Sequence, residues 1–153
     1  MNLIMMIGIP GSGKSTIGKQ IAQLFKYEYI SSDEKREEWY GNTEDQTHNF
    51  ELFCRLERLV TKMLEDGKDV VFDATNITRK SRKRFVELGK KENVSMSAVV
   101  VHTSEETAKR RNTQRERTVP DYVIERQFKT FQKPTKEEGF GVIFTIDNNE
   151  DKV

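Results

Sequence analysis

The chain has 153 residues and a net charge of +1, from 26 Lys and Arg against 25 Asp and Glu. That length suits one domain spanning 1–153, and the near-zero charge excludes a strongly basic nucleic-acid coat while allowing a local basic face. A single cysteine, Cys54, excludes a disulfide framework and a Cys-rich zinc site and fits a reducing, cytoplasmic setting. No apolar run is long enough to cross a bilayer, so no membrane partner is expected, and nothing at the start resembles a signal peptide.

The elements follow in chain order. Leu3 to Ile7 is an uninterrupted apolar run stopped by Gly8, the pattern of a strand buried on both faces of a parallel sheet. Ile17, Ile21, Leu24 and Phe25 recur at helical spacing, predicting a helix over 15–25. Residues 27–30 form a short second strand, and Ser32 is the expected N-cap of a helix starting near Asp33. Residues 41–46 read as a loop. Phe50, Phe53, Leu56, Val60 and Met63 mark an amphipathic helix over 47–66. A third strand over 69–73 precedes a basic helix over 78–93 anchored by Phe85, Val86 and Leu88. A fourth strand covers 97–102. Ser104 caps a helix to about Arg115, 118–120 break it, and Pro120 opens another helix to about Gln132. A last strand covers 141–146, with a frayed tail from about 147. Alternating strands and helices predict an α/β fold, a mostly parallel sheet of about five strands with helices on both faces and a short lid.

Charge is uneven. From Glu28 to Glu57 there are nine acids against three bases, and from Arg79 to Glu92 seven bases against two acids. The basic stretch reads either as a solvated helix face or as a patch facing a polyanion.

Gly8-Ile9-Pro10-Gly11-Ser12-Gly13-Lys14-Ser15 matches G-x-x-x-x-G-K-[ST] between a buried strand and a helix. Gly11 and Gly13 let the backbone curl so that N–H groups, including that of Ser12, face phosphate oxygens. The helix N-terminus at Ser15 and Thr16 adds partial positive charge. Lys14 is placed for the β and γ phosphates, and the Ser15 hydroxyl for Mg²⁺. A nucleoside triphosphate with Mg²⁺ is therefore the expected ligand. No N-K-x-D signature points to guanine, and the chain is short for a motor ATPase. Asp73 ends the buried third strand and Asp33 follows the second, the strand ends where open α/β sheets bind ligands. Arg110, Arg111, Arg115 and Arg117 precede Val119-Pro120, and Arg111 and Arg115 share a helix face. Arginines at such a break suit a lid over a moving phosphate.

Together these motifs resemble the polynucleotide 5′-hydroxyl kinases of phage and eukaryotic end-healing enzymes. The loop is similar to their G-x-P-G-S-G-K-S-T. Asp33-Glu34-Lys35-Arg36 is similar to their D-x-x-R, and Asp73-Ala74-Thr75-Asn76, with Arg79 and Arg82 after it, to their D-x-T-N and basic helix. Arg111-Asn112-Thr113-Gln114-Arg115 with Val119-Pro120 is similar to their lid. The likeness runs from Asn2 to about Phe131. It implies a P-loop kinase fold and transfer of the ATP γ-phosphate to nucleic-acid 5′-hydroxyl ends.

On that resemblance Asp33 accepts the proton of the attacking hydroxyl, and Arg36 binds the adjacent phosphate. Arg115, with Arg111, neutralises the moving phosphoryl group. Asp73, Thr75 and Asn76 belong to the acceptor side, Asp73 either meeting Mg²⁺ through water or holding Arg36. Adenine is expected between the lid and residues 133–141. His48, His102 and Cys54 read as structural. The sequence lacks the D-x-D of the family's phosphatase partner and a K-x-D-G ligase signature, and reads as a stand-alone kinase module. A small-molecule kinase and a non-catalytic ATP-binding switch are the alternatives. The oligomeric state is not legible.

Overall fold

The computed structural model describes residues 1–42, 46–115 and 118–149. Five strands, β1 Asn2–Ile7, β2 Glu28–Ser31, β3 Val70–Asp73, β4 Ser95–His102 and β5 Val142–Asp147, form one parallel sheet in the order β2-β3-β1-β4-β5. Between them run α1 Lys14–Phe25, α2 Ser32–Tyr40, α3 Asn49–Glu65, α4 Arg79–Lys91, α5 Glu105–Thr113 and α6 Asp121–Thr130, with a 3₁₀ turn at Lys136–Glu138. The architecture is the P-loop kinase fold.

The central strands explain their own composition. β1 is flanked by β3 and β4, and every residue of β3 is buried, so neither face tolerates alternation with polar residues. One face packs α3 and α4 around Phe72 and Phe85, whose rings stack 4.0 Å apart. The other packs α1 against Met6, Val71, Val99 and Val101. A third cluster, Ile9, Ile77, Ala108 and Ile124, seats α5 and α6 beside the β1–α1 loop.

The helix expected over 47–66 forms, but its buried stripe is Leu52, Leu56, Val60 and Leu64. Phe50 is 77 % exposed, beneath the Arg84 guanidinium. Leu52 beats Phe50 because the i+4 ladder through Leu56, Val60 and Leu64 already points at the sheet. Ser31, not Ser32, caps α2, accepting from the Glu34 amide at 3.3 Å. The chain is not frayed at 147–149. Asn148 N–H donates to the His102 carbonyl at 2.8 Å, and Ser104 N–H donates to Asn149 Oδ1 at 2.6 Å. Residues 150–153 lie outside the described residues. No helix among the described residues is long and apolar enough to cross a membrane.

Candidate active site

The β1–α1 loop sits at the carboxyl end of the sheet. Gly11 and Gly13 take φ of 84° and 88°. The positive φ is only half of the constraint, because a Cβ at Gly11 would overlap the Ala108 carbonyl and one at Gly13 the Asn148 amide. Ser12 is fully buried and does not line the cavity, so only its backbone serves the loop. Its carbonyl accepts from Asn148 Nδ2 at 2.8 Å and from Arg111 Nη1 at 3.4 Å.

A cavity of about 600 Å³ opens above this loop. It gathers Gly11, Gly13, Lys14, Ser15 and Thr16 from the loop and α1, Asp33 and Arg36 from α2, and Asp73 and Thr75 from the β3 end. Arg111 and Arg115 face it from the lid. Residues far apart in sequence are thus brought to one space by the parallel topology, which puts the ends of β1, β2 and β3 side by side. Arg117 lies outside the described residues.

Lys14 Nζ donates to Asp73 Oδ1 at 2.5 Å, with Asp73 only 1 % exposed. Asp73 Oδ2 accepts from the Tyr29 hydroxyl. In this structure Asp73 is therefore bonded to both Lys14 and Tyr29. Burial first, then the neighbouring Asp73 charge, pushes the Tyr29 phenol well above its ordinary range, so it stays a donor. Arg36 is buried at 6 % exposure and its Nη2 donates to Asn49 Oδ1 at 3.1 Å.

Asn76 does not belong with these residues. It is buried at φ 50°, absent from the cavity wall, and its Nδ2 donates to the Met6 carbonyl at 2.9 Å. It fixes the loop after β3 against β1 and is placed as framework, not on the acceptor side. Arg82 departs further from expectation. It is fully buried, with Nε and Nη2 on the two Glu138 oxygens at 2.9 and 3.1 Å. Its Nη1 donates to the Asn76 and Gln132 carbonyls, both at 2.9 Å. This pins residues 132–138 against α4, so the segment expected beside adenine does not line the cavity. Exposed bases on α4 are Arg79, Lys80, Lys83, Lys90 and Lys91. One of them, Lys83, pairs with Glu87 at 3.9 Å, and the half-buried Arg84 pairs with Glu57 of α3 at 2.9 Å.

Sequence reasoning missed several residues. Asn112 clamps the lid segment, donating to the Val119 carbonyl at 2.6 Å and accepting from its N–H at 3.1 Å. Phe53, Ser81 and Gln127 line the cavity, and Asn49 supports Arg36. Asn148 could have been found, since it follows the last strand at the end where the other ligand-facing residues lie. His48 stacks on Tyr40 at 4.5 Å, and Cys54 accepts from Arg84 at 3.4 Å. No His, Cys, Asp and Glu cluster able to hold a metal by itself occurs among the described residues.

The set fits a magnesium–triphosphate ligand. Loop glycines whose added Cβ would collide, a cation, the exposed Ser15 and a buried carboxylate converge on one cavity. A family model described as an AAA domain matches residues 3–134. The chain belongs to this family. The bifunctional polynucleotide phosphatase/kinase of Schizosaccharomyces pombe is 25 % identical over 143 residues, 90 % of the chain and 31 % of the relative. The chain thus spans about a third of that relative's length. Among solved structures, the Pnkp1/Rnl/Hen1 RNA repair complex superposes with a TM-score of 0.74 at 21 % identity, covering 84 % of this chain and 43 % of that one. A gluconokinase from Sinorhizobium meliloti gives 0.69 at 20 % identity, covering 98 % and 84 %. These structures share with the chain the fold of P-loop kinases.

Proposed function

We propose that this P-loop kinase transfers the γ-phosphate of ATP to the 5′-hydroxyl of a polynucleotide end. The observation that carries the reading is the shared cavity of the phosphate loop with Asp33 and Arg36, one helical turn apart on α2. A carboxylate and a guanidinium at that spacing can grip a hydroxyl and the phosphate beside it. The length of the match to the phosphatase/kinase supports it.

Bound ATP with Mg²⁺ supplies the phosphoryl group and screens its charge. Lys14 and the loop amides hold the phosphates, and Ser15 with Asp73 would hold the metal. Asp33 orients the attacking hydroxyl and takes its proton. Arg36, kept in place by Asn49, binds the phosphate on the 3′ side of that hydroxyl. Arg111 and Arg115 neutralise charge from the lid.

A small-molecule alcohol is the second reading, favoured by the superposition on a gluconokinase, which covers 98 % of this chain against 84 % for the RNA repair complex. Transfer from γ-labelled ATP to 5′-hydroxyl DNA, 5′-hydroxyl RNA, tRNA, nucleosides and sugars separates the two. Label on the oligonucleotides is expected. Label confined to sugars or nucleosides would overturn the first reading, and label nowhere would leave an ATP-binding switch.

A further inference from the structure

Tyr29 belongs to none of the motifs that mark this site, yet its hydroxyl donates to the buried Asp73 carboxylate beneath it. On β2, Tyr29 is the register partner of Val71, so Asp73, two residues on, shares its face of the sheet and lies within diagonal reach of an aromatic side chain. The hydroxyl donates to Asp73 Oδ2. The ring is held between α1 and the sheet. A Cβ at Gly18 would lie 3.2 Å from Tyr29 Cε1, and the Lys19 ammonium sits 5.7 Å from the ring centroid. Glycine inside α1 lowers helix propensity, and at Gly18 its absent side chain is what admits the ring.

We propose that Tyr29 is a positioning residue whose hydroxyl, bonded to Asp73 Oδ2, fixes the carboxylate that with Ser15 would hold the Mg²⁺ of Mg-ATP. The inference rests on the ATP and Mg²⁺ reading above. The terminal torsion of an aspartate is broad, so a carboxylate held at one oxygen can turn away from its task. Asp73 is held at both, Oδ1 by Lys14 and Oδ2 by Tyr29. If Lys14 were drawn to a phosphate, Oδ1 would lose its partner and the Tyr29 bond to Oδ2 would be left to hold the carboxylate's orientation. Such outer partners of metal-holding groups govern affinity by about 10- to 100-fold.

The test is calorimetric binding of ATP with Mg²⁺ and with excess EDTA, in wild type and Tyr29→Phe. The wild type is expected to bind more tightly with Mg²⁺. Tyr29→Phe should lose about 10- to 100-fold of that gain while its EDTA affinity stays within about twofold. Equal losses in both conditions would make Tyr29 a packing residue only and overturn the proposal, as would an unchanged Mg²⁺ gain. Wild type that binds no ATP in either condition would instead overturn the nucleotide reading on which the proposal stands. Circular dichroism establishes folding. If Tyr29→Phe is unfolded, Tyr29→Met, which keeps apolar bulk without a hydroxyl, is required to show the same selective loss.

Discussion

Lys14 is 11 % exposed at its side chain and paired with Asp73 at 2.5 Å, close enough to the loop to meet a triphosphate by rotating its own flexible stem. Lys14→Ala is expected to abolish transfer. Retention of more than about a tenth of wild-type kcat, a loss under about 1.4 kcal/mol, would show that the loop is not the phosphate site. Arg36 makes a sharper case because its proposed ligand is the acceptor. Arg36→Ala should raise the KM for a nucleoside 3′-phosphate by roughly 10- to 150-fold while leaving a bare nucleoside and ATP unaffected. Equal use of bare and 3′-phosphorylated nucleosides by the wild type would remove Arg36 from the acceptor site. Both residues are legible in the sequence because a motif fixes their neighbours. Tyr29 and Asn49 are not, since each acts on a residue 44 or 13 positions away and no local pattern encodes that meeting.

Helix α4 shows how composition misleads at the scale of an element. Seven bases in its vicinity read as one face, but Arg82 points inward, where Glu138, two carbonyls and the turn at 135–138 satisfy it. Truncating one partner of such a pair leaves a buried charge, so Arg82→Ala should cost about 3–5 kcal/mol, seen as a lowered Tm. A loss of under about 1 kcal/mol would deny it that role. Burial of Glu138 opposes ionisation, but hydrogen bonds from Arg82 and from the Thr135 N–H and hydroxyl outweigh it and hold the carboxyl below its ordinary value. A folded-state pKa below the unfolded one stabilises the protein above the unfolded value, near pH 4.3, and that contribution fades as pH falls through the folded value. Acid unfolding of Glu138→Gln should accordingly be shallower than that of the wild type below about pH 4.3. The outward bases remain available to a long acceptor. Changing Lys80, Lys83 and Lys91 to Ser should flatten the salt dependence of oligonucleotide binding by about 0.7 for each phosphate that is no longer neutralised. An unchanged slope would return α4 to solvent.

For the molecule as a whole, the alternation of strands and helices makes the α/β class legible, because buried parallel strands leave continuous apolar runs such as Leu3 to Ile7. Strand order is not legible, since nothing within Val70–Asp73 says that it lies between β1 and β2. The tail is misleading because Asn148 and Asn149 are polar and look frayed, whereas their amides bond the loop and the α5 cap. That bond has a consequence in time. The Ser12 carbonyl waits for Asn148 across 136 residues. A ribosome making about 5–20 residues per second has therefore finished nearly the entire sheet before the loop gains this support. Nucleotide should begin to shield arrested nascent chains from protease only after Asn148 has left the exit tunnel, and equal shielding of chains lacking β5 would contradict this. On that expectation the growing protein folds until then without help from a nucleotide, and its early survival depends on how the unfinished sheet is kept from other chains.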